Sequence, residues 1–270
     1  MNVGAYIPCC NNSQHLEAAI QSLREQTCTL NELLVIDDGS TDGCAEIAAR
    51  LGARVIRHPQ SLGRGAVRAR AFVEAECDLL LGLDATCTVE VDFIAKALPW
   101  FKSEEVAGVF ARIVGPSPVN AVERWRARHL FGEDRCSTVV HGASLITTAC
   151  VLRRASVLKT GNFSSHLKHS EDFDLGQRLL TAGWDVVQDP ALKVLANKPD
   201  SLLSVLERFW RWHAGTEPGA SFRSWCKMLS YAVKVMMHED LRASDPLAAG
   251  ISFLLPHYQV WRSLRESGRF

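Results

Sequence analysis

Short apolar runs alternate with helical patterns through the first hundred residues, and this alternation constrains the fold more than any other feature of the chain. VGAYI (Val3 to Ile7), LLVI (Leu33 to Ile36), RVIR and DLLLGL (Asp78 to Leu83) read as strands. Leu16, Ala19, Ile20 and Leu23 recur at helical spacing after a polar NNS that can cap. Cys44, Ile47, Ala48 and Leu51 give the next helix its apolar stripe, with Ser40 or Thr41 as the expected cap. An Arg- and Ala-rich helix is predicted from about Gly65 to Glu76. Nearly continuous apolar strands interleaved with amphipathic helices imply an α/β fold, a Rossmann-like, mostly parallel central sheet with helices on both faces. Ligands of such sheets sit beyond the carboxyl ends of the strands, where Asp37, Asp38 and Asp84 fall.

Past Val106 the pattern loosens. VAGVFARIV is a predicted strand, the segment to about Arg135 is basic and predicted helical, and ASLITTACVLRR (Ala143 to Arg154) reads as another strand. A helix is expected from Ser170 to Gly183, and two or three helices rich in Trp, Phe and Leu follow Asp200. Neither internal repeats nor a low-complexity linker is present. The organisation expected is one α/β domain over residues 1–200 and a helical C-terminal extension over 201–270.

With 47% hydrophobic and 22% charged residues the chain can bury a large core. Thirty basic and thirty acidic residues balance, so bulk attraction to nucleic acid is not expected. Met1 runs almost directly into VGAYI without a basic n-region or long apolar h-region, and no apolar run approaches the roughly 20 residues of a membrane span. The nine cysteines lack CxxC spacing, which predicts reduced thiols in a cytoplasmic protein rather than a zinc or redox site. His141, His169 and His213 likewise show no ligand spacing.

In LLVIDDGSTDG (Leu33 to Gly43) a buried strand ends in two adjacent like charges. Strand-end carboxylates accept hydrogen bonds from imides or hydroxyls and ligate hard cations, but Asp-Gly and Ser-Thr-Asp are also ordinary turn chemistry. Asp37 and Asp38 alone do not decide between the two. The order and spacing of six segments do: IPCCNN (Ile7 to Asn12), SLREQT (Ser22 to Thr27), VIDDGSTDG (Val35 to Gly43), SLGRGAVRARA (Ser61 to Ala71), LGLDATCTVEVDF (Leu81 to Phe93) and SEDFDLGQRLLTAGWDV (Ser170 to Val186). Over residues 1 to about 195 the chain resembles the family 2 glycosyltransferases, which have the GT-A fold.

That resemblance implies an inverting transferase moving one sugar from a nucleoside diphosphate sugar, a UDP-sugar favoured, to a hydroxyl of a glycan, lipid-linked saccharide or protein. Residues 1–105 would form the nucleotide-sugar half and 106–200 the acceptor half. It implies that Asp38 holds the base, that Asp37 shapes the turn, and that Pro8, Cys10, Asn11, Asp84 and Ala85 also line the donor site. Cys10 stands where the family usually has a tyrosine against the base. Arg64, Arg68 and Arg70 lie in the segment that approaches the diphosphate. Arg64 and Arg70 are carried forward as its contacts, and a solvated helix face is the alternative for Arg68. Glu171 and Asp172 are the catalytic pair, with Asp172 the base and Glu171 orienting the loop or touching the acceptor. Two acids complementing a helix dipole are the alternative without the family match.

The metal motif departs from the family's D-x-D: Asp84-Ala85-Thr86 ends in a neutral hydroxyl, a weak ligand for a hard cation. The histidine usual after the following strand is also missing from VLANKP (Val194 to Pro199). Three arrangements stay open: basic side chains in place of Mg²⁺ or Mn²⁺, a weak metal at Asp84, or a nucleotide-sugar-binding protein without transfer. RFWRW (Arg208 to Trp212) is similar to the QxxRW motif of polymer-forming relatives, which makes Arg211 and Trp212 candidates for the acceptor wall, against an ordinary core stripe. The tail's mixture of aromatic and basic residues leaves peripheral membrane contact, domain packing and dimerisation open.

Overall fold

Eight strands form one sheet in the order β3-β2-β1-β4-β7-β6-β8-β5. They are β1 (Val3–Cys9), β2 (Glu32–Asp37), β3 (Arg54–Arg57), β4 (Leu79–Leu83), β5 (Cys87–Val89), β6 (Val106–Val114), β7 (Ala149–Arg153) and β8 (Asp185–Ala196). The structure is a computed structural model that describes residues 1–132, 137–213 and 221–266. The first four strands in spatial order run parallel. β7 enters antiparallel between β4 and β6, β8 runs parallel to β6, and β5 closes the edge antiparallel to β8. Register pairs Cys9 with Asp37 at the carboxyl end of β1 and β2, and β4 stops one residue before Asp84. The expected α/β sheet is therefore observed, parallel on the side that begins the chain.

Helices α1 (Ser13–Arg24), α2 (Cys44–Arg50), α3 (Arg64–Glu74), α4 (Phe93–Ala97), α6 (Arg154–Lys159) and α7 (Glu171–Thr181) accompany this sheet. The cap expected for α2 differs: Gly43 occupies the cap position, and neither Ser40 nor Thr41 caps it. Asp42 does that work for two helices at once, accepting Ser13 N at 2.8 Å and Cys44 N at 3.3 Å. Burial alone would raise its pKa, but these donors hold it down to about 2. Helix α7 ends as the sequence predicts, with Gly183 at φ 84° and the Trp184 and Gly183 amides bonded to Leu179 and Leu180 carbonyls.

The strand predicted over Ala143 to Arg154 is shorter. Only 149–153 is strand; 143–148 keeps one backbone bond at each end, Ala143 N to Val186 O and Asp84 N to Thr148 O, both 2.9 Å, and lies against α7 at Leu145 and Thr147. Gly176 makes that approach possible, since a Cβ there would stand 2.8 Å from Leu145 Cβ. Among the described residues Cys9, Cys10, Cys28, Cys44, Cys77, Cys87, Cys150 and Cys226 are free thiols. Burial pushes Cys77 and Cys150 up to about 12, which leaves both inert. Cys136 lies outside the described residues.

By contact the chain divides into two units, Met1–Pro116 with Arg135–Lys198, and Ser117–Asp134 with Pro199–Phe270. Residues 117–134 thus group with the tail and not with the domain expected over 1–200. The second unit contains α5 (Ala121–Trp125) continued by a π-helical turn (Arg126–Phe131), then α8 (Leu202–His213), α9 (Phe222–Tyr231), α10 (Met237–Arg242) and α11 (Pro246–Glu266). The basic character of the 117–134 segment explains this grouping, because its cations find their acids within the second unit. Arg124 takes Asp245 in two bonds of 2.6 and 3.0 Å, and buried Arg126 pairs with Asp200 at 3.1 Å. Arg128 and His129 share the buried carboxylate of Asp240, whose second oxygen accepts from Ser252 at 2.7 Å. No helix among the described residues is long and apolar enough to cross a membrane.

The start of α3 is fitted against the 164–168 loop, where Gly65 N donates to Leu167 O at 3.1 Å. A Cβ at Gly65 would meet the carbonyls of Ser164 and Leu167, and backbone cannot swing aside. Gly65→Ala should therefore destabilise the protein by about 1–3 kcal/mol in urea unfolding, as overpacking does. An unchanged midpoint would show that the 164–168 loop yields to a methyl group at this position.

Candidate active site

The DDGSTDG segment gives each of its acids a separate set of partners. Asp37 is fully buried, accepts Ser40 N at 2.9 Å, and has Arg57 Nε 3.2 Å from its other oxygen. Asp38 has all four carboxylate acceptor positions filled: His58 Nδ1 (2.8 Å) and Leu62 N (2.9 Å) on Oδ1, Ser61 Oγ (2.8 Å) and Gly63 N (2.9 Å) on Oδ2. Burial would raise its pKa, but these hydrogen bonds outweigh it and hold the group below the usual carboxylate range. The carboxylate that the resemblance assigns to a nucleotide base is engaged here by the protein itself. Its lone pairs already hold the 58–63 loop, and with it the entry into α3.

Cys10 and Asn11 are stitched to the 38–41 turn. Asn11 N donates to Ser40 Oγ at 3.0 Å and Asn11 Oδ1 accepts Thr41 N at 2.9 Å, with Asn11 in the left-handed region at φ 51°. Both side chains are exposed, while Pro8 lies within β1 opposite Ile36.

The second cluster centres on Arg68, for which the sequence left a solvated helix face open and which is instead buried. Arg68 is 2% exposed, and its guanidinium bonds Asp84 Oδ1 at 3.0 Å, Glu171 Oε1 at 3.1 Å and the Tyr6 hydroxyl at 3.1 Å. It also reaches the Thr147 carbonyl at 3.5 Å. The end of β4 and the start of α7 are thereby joined through one side chain. Its signal was available in the sequence, because Arg68 shares with Gly65, Ala71 and Phe72 the helical stripe that buries. Arg70, two residues on, faces elsewhere: it is half exposed and pairs with Glu74 at 2.6 Å. The structure does not bring Arg70 to this cluster.

Asp172 lies beside Glu171, its carboxylate accepting Phe173 N at 2.9 Å and the Thr147 hydroxyl at 3.3 Å. Burial raises its pKa, the Glu171 charge adds to the rise, and Arg68 and Arg64 oppose it. Arg64 therefore acts on the same carboxylate from the first turn of α3. Thr147 is a second residue the sequence hid, since it lies in the stretch read there as strand. Arg211 and Trp212 belong to α8 of the second unit.

Ala85 is buried, and Thr86 O accepts Asn197 N at 3.2 Å. The two positions where the resemblance expects metal ligands, Thr86 and the 194–199 stretch, are thus neighbours, and neither supplies a carboxylate or imidazole. Among the described residues no group of three His, Cys, Asp or Glu is placed to hold an ion. Asp84 itself is engaged by a guanidinium. This donor set does not by itself form a protein-held Mg²⁺ or Mn²⁺ site.

Strand order, strand-end carboxylates and an acidic helix start together define a GT-A glycosyltransferase fold. The chain belongs to glycosyltransferase family 2: the family described as Glycosyl transferase family 2 matches residues 5–161, more than half of it. It is 31% identical over 193 residues to the succinoglycan biosynthesis protein ExoA of Rhizobium meliloti, covering 67% of this chain and 58% of that one. It is 28% identical over 198 residues to the pre-mycofactocin glycosyltransferase of Mycobacterium tuberculosis, covering 70% and 41%. The chain spans about half the length of these relatives. Among solved structures, S. aureus TarS 1-349 in complex with UDP-GlcNAc matches with a TM-score of 0.60 at 15% identity, covering 99% of this chain and 92% of that one. The mannosyltransferase PcManGT from Pyrobaculum calidifontis, in complex with GDP-Man and Mn²⁺, matches at 0.59 and 14%, covering 99% and 75%. At such identities the likeness is one of fold.

Removing the Arg68 guanidinium would leave Glu171 buried and unpaired. Arg68→Met should cost about 3–5 kcal/mol of stability, read by denaturant titration. A loss under about 1 kcal/mol would mean that water already shares the cluster.

Proposed function

We propose that the protein is an inverting glycosyltransferase that moves a single sugar from a nucleoside diphosphate sugar to a hydroxyl acceptor. The observation that carries this reading is the single guanidinium, Arg68, bonded to both the strand-end Asp84 and the helix-start Glu171. Donor-side and acceptor-side carboxylates then belong to one reaction centre. Asp172 takes the proton of the acceptor hydroxyl while that oxygen attacks the anomeric carbon from the face opposite the diphosphate. The bond from the anomeric carbon to the phosphate oxygen breaks, and the nucleoside diphosphate leaves with the electron pair. Arg64 meets the charge that develops on it. Asp84 receives the ribose side of the donor, and Glu171 holds the acceptor loop through Arg68. The TarS complex contains UDP-GlcNAc and the PcManGT complex GDP-Man; a UDP-sugar is the donor favoured here.

A raised Asp172 pKa suits a base, because a stronger base accepts the proton more readily. The base acts only when ionised, so kcat/KM falls as pH drops through that raised value. The acid limb should lie above the ~3.9 of an ordinary aspartate. Asp172→Asn should lose about 10²–10⁴-fold in kcat while keeping nucleotide affinity and thermal midpoint. Full turnover by this variant removes Asp172 from the mechanism.

The second reading is a protein that binds a nucleotide sugar without transfer, motivated by Thr86 at the usual ligand position. Transfer and hydrolysis assays with a donor pool separate the two. Since Thr86 and Asn197 offer only neutral oxygens, weak ligands for a hard cation, UDP affinity measured by calorimetry should be the same in EDTA and in Mn²⁺. An affinity that needs Mn²⁺ would restore a metal to the site.

A further inference from the structure

We propose that the second unit docks on an anionic phospholipid surface through the outer face of α9 and α11. This inference is independent of the transfer chemistry and concerns residues outside the candidate active site. Helix α9 buries none of its residues, although it carries Phe222, Trp225 and Tyr231. Phe222 is 79% exposed. Its ring lies 5.6 Å from that of Trp225, Trp225 lies 5.8 Å from His257, and His257 lies 5.2 Å from Phe253. These four rings run continuously from α9 onto α11. On α11 the exposed Leu247, Leu254 and Trp261 recur every seven residues and extend the strip along one helix face for roughly 20 Å. An exposed apolar strip of this length marks a contact surface.

Charge selects the occupant. Arg223 and Lys227 are exposed one turn apart on α9, and Arg265 lies over the Trp261 ring at 5.3 Å. Helix α9 contains no Asp or Glu, and α11 has one only at its last residue, Glu266. A second copy of the same face would set these cations against their own counterparts, which penalises self-association. Anionic headgroups would attract this positive face while the rings settle at the boundary between headgroup and acyl chain. With no described helix able to cross a bilayer, the contact is interfacial.

The test is co-sedimentation of the full chain with vesicles of phosphatidylcholine alone and of phosphatidylcholine mixed with phosphatidylglycerol. Binding is expected to the mixed vesicles and to weaken as salt is raised. The double variants Phe253→Ser/Trp261→Ser and Arg223→Gln/Lys227→Gln, each checked for native circular dichroism, should each lose at least about tenfold in partitioning. Absence of binding, equal binding to both vesicle types, or partitioning unchanged in both variants would overturn the proposal. So would a dimer in sedimentation velocity that Phe253→Ser/Trp261→Ser dissolves, which would assign the face to a second copy of the chain.

Discussion

The first unit depends on a buried cation. Taking a guanidinium out of water costs several kcal/mol even after relaxation, and it is tolerated only where carboxylates and further acceptors replace the lost solvation. Arg68 meets that condition with Asp84, Glu171, the Tyr6 hydroxyl and the Thr147 carbonyl. Each partner comes from a different segment, so satisfying one side chain fixes β1, the end of β4, the 143–148 stretch and the start of α7 relative to α3. Glu171 cannot move without stranding the cation, and Asp172 inherits its place from that constraint.

The adjacent acids of DDGSTDG reach tolerance by a different route. Asp37 turns inward to Ser40 and Arg57, Asp38 holds the 58–63 loop, and Asp42 caps α1 and α2. Repulsion between neighbours is offset because each carboxylate has its own donors. The motif fastens three loops at the carboxyl edge of the sheet, and Gly63, bonded to Asp38, stands immediately before α3, which carries Arg68. The DDGSTDG turn and the Arg68 cluster are therefore linked through the six consecutive residues 63–68.

The second unit divides its charged groups in two. Arg124, Arg126 and Arg128 are paired inward with Asp245, Asp200 and Asp240, which draws the 117–134 segment into the helical unit. Arg223, Lys227 and Arg265 face outward beside exposed aromatic rings. Composition alone averages these groups into a neutral protein.

Much of the first unit was legible in the residues. Unbroken apolar strands cannot face water, and helices with one apolar stripe must cover them, so the sheet, most helices and the strand-end position of Asp37, Asp38 and Asp84 followed from local pattern. So did the glycine that stops α7. What the sequence by itself could not determine was which polar groups would satisfy one another. Asp38 found its donors 20 to 25 positions away, and Arg68 met Glu171 over a separation of 103 residues. Arg68 and Arg70 look alike in sequence and part only because a two-residue step turns a helix by about 200°. Hydrogen bonds and ion pairs depend on separations in space, and only the closed sheet brings those distant segments into contact.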